Sequence, residues 1–365
     1  MERGCSNNIQ DQVPLESKIV HSYDEQRGTI THDFEQLQAE MLKKEPENTS
    51  EAHTLLQQGI QHQQAGEFVA ATKLLQQSLA LFQAFGNLQA QAQAINSLAL
   101  VAYNSGDYKG AISYSQQCLS LTDNINDLRL RIQAFSHMGN SYRHLGNYEK
   151  ATECLQNCLD IACSSGDKKS QVAALNNLGL VHKANANLQQ AIKFQERSLK
   201  LVRELEDSLS EEQILNNLGN AWYTLGNYLK AIEYYQECVK IARKLNDYRS
   251  MIQVLKHLGN AFYALNNYPQ TIQYYKERLL LARQAKDKNS QKQSLLCLGV
   301  ACEALGDYSN AFHYLEESLQ LSKATKDLKS EEQALTSLKS AYYASGNHVK
   351  AMEYEQMLKE LGTKN

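Results

Sequence analysis

The side chains whose spacing invites a chemical reading are cysteine, histidine and a recurring set of carboxamides. Cys154 and Cys158 stand one helical turn apart, with Cys163 a turn further and Cys118 upstream. Thiolates so spaced can ligate zinc, but a structural zinc site needs four convergent donors. The eight cysteines contain no C-x-x-C pair, a usage that implies a reducing compartment rather than a disulfide framework. Cys118, Cys158 and Cys238 share a register with Ser78, Ser198 and Ser318. That position asks for a small residue at a tight helix contact, where cysteine packs as a small hydrophobe. No metal site is expected.

Histidine offers no better catalyst. His137 and His257 share one register, and His144 and His182 occupy others, with no H-E-x-x-H among them. No G-x-S-x-G, P-loop or paired-carboxylate motif accompanies them, and a catalytic histidine needs an orienting partner. They are expected to be solvated or to line a groove. No catalytic residue and no cofactor is assigned. Glycine remains: "LGNAWYTLGNYLKAIEYY", residues 218–235, places Gly219 and Gly226 seven apart. Glycines cradle phosphates in nucleotide sites, but this spacing without a preceding strand fits no such fingerprint.

The elements that position these residues follow from an internal repeat. The Gly219 position recurs every 40 residues as Gly59, Ala99, Gly139, Gly179, Gly219, Gly259, Gly299 and Lys339. The second glycine recurs as Gly66, Gly106, Gly146, Ala186, Gly226, Asn266, Gly306 and Gly346, followed by Ala71, Ala111, Ala151, Ala191, Ala231, Thr271, Ala311 and Ala351. Leu215, Leu218, Gly219 and Trp222 fall on one helical face. Gly219 therefore sits inside a first helix, where its missing side chain admits a neighbour. Gly226 fits the left-handed residue that ends that helix, and Asn227 the cap of the next. The equivalents of Asn227 are Glu67, Asp107, Asn147, Asn187, Asn267, Asp307 and Asn347. Pairs such as Gly166–Asp167 and Asn246–Asp247 separate successive units, and Pro269 falls in a first turn, where its missing N–H is harmless. The units are 52–91, 92–131, 132–171, 172–211, 212–251, 252–291, 292–331 and 332–365. The fourth is the least regular: Ala186 takes the left-handed position and Leu188 replaces an aromatic, which suggests a kink or soft joint.

The unit resembles the tetratricopeptide repeat, W-x2-L-G-x2-Y then A-x3-F. Leu218, Gly219, Trp222, Gly226, Tyr228, Ala231 and Tyr235 match, whereas Leu215 replaces the first aromatic and the closing proline is absent. At 40 residues the unit is similar to those of G-protein-signalling adaptors and of bacterial, notably cyanobacterial, arrays. The resemblance implies an all-α fold, an α-solenoid of eight helix pairs wound as a right-handed superhelix, with first helices lining a concave groove. One helix pair cannot bury both its apolar stripes, so stacking must supply the core.

The side of the first helix opposite the Leu/Gly stripe is rich in carboxamides. Six residues before the glycine stand Gln93, Gln133, Gln213, Gln253, Gln293 and Gln333. Asn177 and Asn217 stand two before it, with His137 and His257 in the same register. Asn140, Asn220 and Asn260 follow it directly, and Tyr103, Arg143, Lys183, Tyr223, Tyr263 and Tyr343 come four after. A carboxamide offers both donor and acceptor, matching a peptide backbone. The expected ligand-binding set is Asn140, Arg143, Asn177, Lys183, Gln213, Asn217, Asn220, Tyr223, Gln253, Asn260 and Tyr263. Basic residues there are limited to Arg143, Lys183 and Lys256, which argues against a clamp for a terminal carboxylate. Tyrosines at Tyr114, Tyr234, Tyr274, Tyr314 and Tyr354, with Phe194, are expected as core filler.

Bulk composition agrees with a binding module. Hydrophobic residues make up 42% and only Pro14, Pro46 and Pro269 are proline, so helices dominate. A net charge of -3 gives no electrostatic footprint for nucleic acid or anionic membrane. The first 50 residues hold five Lys/Arg against ten Asp/Glu and are expected to be a mobile acidic leader. Within it, Phe34, Leu37 and Met41 mark a short amphipathic helix near 31–45. No apolar run reaches membrane-span length and the start lacks a signal-peptide core, so a cytoplasmic location is expected. The functional expectation is a non-enzymatic adaptor or scaffold that binds a partner protein, peptide or helix in the groove. The alternative is a regulator that changes conformation on sensing a small peptide.

Overall fold

The computed structural model describes residues 50–362. The amphipathic segment with Phe34, Leu37 and Met41 lies outside the described residues. Among the described residues the fold is all-α, with sixteen helices and no strand. It is an α-solenoid fold of consecutive helix pairs, as the repeat requires. The chain divides into two compact units, one up to Asn187 and one from Leu188. The first holds α1 (Ser50–Gln64), α2 (Phe68–Ala84), α3 (Leu88–Asn104), α4 (Tyr108–Ile125), α5 (Leu128–His144), α6 (Tyr148–Ser164) and α7 (Lys168–Ala184). The second holds α8 (Leu188–Glu204), α9 (Ser208–Thr224), α10 (Tyr228–Leu245), α11 (Tyr248–Ala264), α12 (Tyr268–Gln284), α13 (Lys288–Ala304), α14 (Tyr308–Ala324), α15 (Leu328–Ala344) and α16 (His348–Gly362). The odd-numbered helices are the first helices of the repeats. Within each unit, neighbouring first helices approach one another as well as their own second helices.

Local chemistry sets the helix ends. Gly226 adopts φ +77°, and the bonds Gly226 N–H to Tyr223 O and Asn227 N–H to Trp222 O close the turn at 2.9 and 3.0 Å. Asn227 Oδ1 then accepts from Lys230 N at 3.2 Å. Asp107, Asn147, Asn267, Asp307 and Asn347 cap in the same way. Glu67 does not; its side chain makes no capping bond and contacts His62 Nδ1 instead. Glutamines add a device at the opposite end. Gln91, Gln171 and Gln291 each donate through Nε2 to a carbonyl nine residues back, Phe82, Ala162 and Ala282, at 3.1, 3.0 and 3.0 Å. Each of these carbonyls also accepts the backbone N–H of Asn87, Asp167 or Asp287, so the glutamine is a second donor that ties the next helix to the end of the one before.

In five of the pairs, those of Gly59, Gly139, Gly219, Gly259 and Gly299, the first-helix glycine fixes the contact. A Cβ on Gly219 would lie 2.4 Å from Tyr235 Cε1, and one on Gly259 2.5 Å from Tyr275 Cε2. On Gly139 and Gly299 the same atom would meet Leu155 and Leu315 at 2.5 and 2.4 Å. Where alanine replaces the glycine, at Ala99, the residue sixteen later is the small Ser115. Volume at one position is thus traded for volume at the other.

A second tie joins the pair three residues further on. Ser78, Cys118, Cys238 and Ser318 each donate to a first-helix carbonyl 26 residues earlier, Ala52, Ala92, Glu212 and Lys292. At these positions the register supplies a donor as well as small size. Arg278 occupies the same register and donates Nε to Ile252 O at 3.0 Å. It is 1% exposed. Its remaining N–H groups reach Ser290 O, Ser290 Oγ, Ser294 Oγ and Gln293 Oε1 between 2.8 and 3.1 Å. All five guanidinium donors are matched, which is what makes a buried arginine tolerable.

On the second helices of the second unit, Arg203, Arg243 and Arg283 reach Glu237, Glu277 and Glu317, each 34 residues on, at 2.5, 2.6 and 2.5 Å. Among the described residues seven non-glycine residues take positive φ, Ala186 at +57° being one. The division of the chain falls directly after that turn. Left-handed alanine costs roughly 1 kcal/mol. Ala186→Gly is expected to raise the urea midpoint by the equivalent of about 0.5–1 kcal/mol. Gly219→Ala should lower it by about 1–3 kcal/mol, because Tyr235 must move. Equilibrium unfolding followed by circular dichroism checks both.

Candidate functional site

The eleven sequence-derived residues all stand on first helices. Asn140 and Arg143 lie on α5 and Asn177 and Lys183 on α7, within the first unit. Gln213, Asn217, Asn220 and Tyr223 lie on α9, and Gln253, Asn260 and Tyr263 on α11, within the second.

In the second unit, Gln253 is exposed while Gln213, Asn217, Asn220, Asn260, Tyr223 and Tyr263 are half-buried. Tyr223 meets Tyr228 edge-on with centroids 5.1 Å apart, and Tyr263 meets Tyr268 likewise at 5.5 Å. The left-handed turn brings these rings together across each helix pair. Burial, and then the neighbouring Tyr228, raise the Tyr223 phenol above its ordinary value. Asn220 and Asn260 prove to be more than groove amides. Tyr235 Oη donates to Asn220 Oδ1 at 2.8 Å, and Tyr275 Oη to Asn260 Oδ1 at 2.5 Å. These are the tyrosines that pack on Gly219 and Gly259. The sequence separates the asparagines from the Leu/Gly packing stripe, whereas the structure ties them to it. Their truncation must cost stability, since a buried hydroxyl loses its acceptor.

The first unit uses the same register differently. Leu155 stands where the tyrosine would, and the buried Asn140 Oδ1 has no hydrogen-bond partner among the described residues. Arg143 places Nη2 3.0 Å from His144 Nε2. His144 stacks on Tyr108 at 4.5 Å and meets Tyr103 Oη at 3.2 Å. Arg143 therefore leans toward the turn. Asn177 and Lys183 are half-buried on α7. Asn96 donates to Gln133 Oε1 at 2.8 Å, linking amides of adjacent first helices. His137 is buried rather than solvated; burial pulls its pKa down to about 4, so its ring is neutral. His257 Nδ1 lies 3.1 Å from Asn216 Oδ1.

Two observations bear on chemistry. Burial pushes the thiols of Cys118 and Cys158 up to about 12 and those of Cys154 and Cys302 to about 11. Such thiols are poor nucleophiles and poor ligands. Among the described residues no three His, Cys, Asp or Glu side chains converge as a metal would need. The tyrosines expected as filler are only half-buried, with Tyr274 stacked on Phe262 at 5.3 Å. Deeply buried tyrosines are Tyr235 and Tyr275, with Tyr342 in another register. A period of 40 could have flagged the register of Tyr235 and Tyr275, which holds leucine at Leu75, Leu155 and Leu315.

Glu212 escaped the sequence reading. It is 7% exposed, contacts Ser250 Oγ, and lies near Asp247. In the same register two repeats on, Lys292 binds Asp327 Oδ2 at 2.5 Å. Where a cation meets the capping aspartate at one junction, a carboxyl meets it at the other. Burial, opposed by the Ser250 bond and aided by Asp247, raises the Glu212 pKa. A carboxyl with a raised folded pKa gives its full stability at pH below the unfolded value and loses it as pH rises through the folded one. Glu212→Gln is therefore expected to raise the melting temperature at pH 7–8 and to match the native chain at pH 4. Melting curves across that range check the sign.

Profiles of the tetratricopeptide repeat match residues 130–208 and 210–284, with further matches at 91–122 and 293–325. A comparison with proteins of curated function finds no match. Among solved structures, a signal transduction ATPase with numerous domains, carrying a tetratricopeptide repeat sensor, from Pyrococcus horikoshii, is 17% identical with a TM-score of 0.67. That similarity covers 86% of this chain and 47% of the other, so this chain spans about half of that protein. The apo quorum sensor NprR from B. thuringiensis is 14% identical, with TM-score 0.58, over 94% of this chain and 97% of that one. A Rap protein complexed with Competence and Sporulation Factor is 13% identical, with TM-score 0.53, over 95% of each chain. Identities this low speak to the fold alone. With repeat profiles matching more than half of its length, the chain belongs to the tetratricopeptide repeat family.

Proposed function

We propose that the chain is a protein-interaction module whose first-helix face binds a peptide or helix of a partner protein. The observation that carries this is the recurrence of amide and aromatic side chains in fixed registers of successive first helices. Asn220 with Tyr223, and Asn260 with Tyr263, are repeated one unit apart at half-exposed positions. The buried tyrosine hydroxyls use the oxygen of Asn220 and Asn260, and the NH2 edge that remains suits the carbonyls of a peptide backbone. The residues assigned to binding are the eleven named above, with no catalytic group, cofactor or metal among them. Nucleic acid is not an expected partner at a net charge of -3. No described helix is long and apolar enough to cross a membrane.

A second reading is a regulator that senses a small peptide. It is favoured by the full-length likeness to the quorum sensor NprR and to the Rap protein complexed with Competence and Sporulation Factor. The two readings differ in what binding does. Sensing requires two states of different peptide affinity, so a saturating peptide must shift their population. Binding by a scaffold need not.

A random-peptide display selection on the full chain tests the shared premise. The counter-selection uses Asn177→Ala, Gln213→Ala and Gln253→Ala together, side chains that carry no part of the glycine contact. Enriched peptides are expected to bind the native chain at least tenfold more tightly than the variant. Equal binding would place the site elsewhere. Small-angle scattering with a saturating enriched peptide then separates the readings, since sensing expects a changed radius of gyration.

A further inference from the structure

The asparagines of the second unit are not free to present either edge. Asn220 and Asn260 hold one register on the adjacent first helices α9 and α11. Each has its carboxamide oxygen bound from beneath by the hydroxyl of Tyr235 or Tyr275. Those tyrosines are 1% and 2% exposed and sit against glycine, so their hydroxyls are fixed in place. An amide whose oxygen is held inward turns its NH2 outward. The pair therefore offers two donors at corresponding points of neighbouring helices. Three residues on, on the same helical side, each is followed by a tyrosine, Tyr223 or Tyr263. Edge contacts with Tyr228 and Tyr268 hold those rings. One donor and one aromatic ring thus recur at the spacing of one repeat.

That spacing selects a ligand conformation. The helices α9 and α11 approach one another to within 8 Å between Cα atoms, as helices with axes about 8–10 Å apart do. Carbonyls on one side of an extended strand recur at about 6.6 Å, twice its ~3.3 Å rise per residue, and miss this interval. A helical ligand spends its carbonyls on its own hydrogen bonds. A polyproline II chain has three residues per turn and a rise of ~3.1 Å, so every third carbonyl faces one way at about 9.3 Å, unbonded within the chain. Proline also lacks an N–H, so it asks for no acceptor. In an inference that rests on the peptide-binding reading above, we infer that the α9–α11 face takes a polyproline II peptide. Asn220 and Asn260 donate to carbonyls three residues apart, and prolyl rings pack on Tyr223 and Tyr263. Aromatic rings are the usual partners of such a chain.

Calorimetric titration of the full chain with an end-blocked proline nonamer, beside an alternating Gly/Ser nonamer, tests this. The proline peptide is expected to bind at least tenfold more tightly. Asn220→Asp with Asn260→Asp keeps an acceptor for each tyrosine but removes the outward donors. It should leave the helical signal intact and weaken the proline peptide at least tenfold, and each single variant should show part of the loss if the pair folds poorly. Tyr235→Phe with Tyr275→Phe frees the amides to turn, and should narrow the preference between the two nonamers, which a purely structural role would leave unchanged. Equal affinity for both nonamers, or indifference to the Asp pair, overturns the inference. If library peptides without proline bind and are lost in the variant combining Asn177→Ala, Gln213→Ala and Gln253→Ala, this inference fails while the peptide-binding reading stands. If no peptide binds the native chain, both fail.

Discussion

Everything in this fold hangs on how closely two helices of one repeat can approach at a single residue. Gly219, Gly259, Gly139 and Gly299 have no side chain because tyrosine or leucine from the second helix lies where a Cβ would be. That approach sets the distance at which the donor sixteen or nineteen residues later can reach across. Ser78, Cys118, Cys238, Ser318 and even Arg278 meet a first-helix carbonyl only because the backbones are already close. Close packing contributes more than it costs when each polar group brought in finds a partner.

The same contact explains why amides stand where a peptide could meet them. With a tyrosine against the glycine, its hydroxyl emerges beside the residue that follows the glycine, and asparagine there accepts it. With leucine, as at Leu155, the asparagine keeps its place but loses that bond. Identical residues in one register thus do different work in the two units. Position in a repeat determines where a side chain stands, and its partner determines which edge it presents.

The helices, their turns and most of their caps were legible in the sequence because each depends on residues within a few positions. Gly226 and Asn227 needed only one turn of chain to be recognised. Glu67 misled for the opposite reason: a histidine five residues back competes for its carboxylate. The site was legible as a set of positions but not as chemistry. The roles of Asn220, Arg278 and Glu212 depend on groups 15, 12–26 and 38 residues away in sequence. Periodicity alone brings such groups together only when the partner register is read at the same time. Reading Tyr235 as a family aromatic hid its hydroxyl.

The ladder Arg203–Glu237, Arg243–Glu277, Arg283–Glu317 has a consequence for cooperativity. In a nearest-neighbour description of a repeat array, stability splits into an intrinsic part for each repeat and a coupling part for each interface. The glycine–tyrosine contact and the bonded asparagine belong wholly to the intrinsic part. The arginine–glutamate links belong wholly to the coupling part, since each joins one repeat to the next. Their side chains are roughly half exposed, so added salt weakens them as it does any surface ion pair. Ionic strength therefore acts on how sharply the repeats of the second unit unfold together, while leaving the cohesion of each single helix pair nearly untouched.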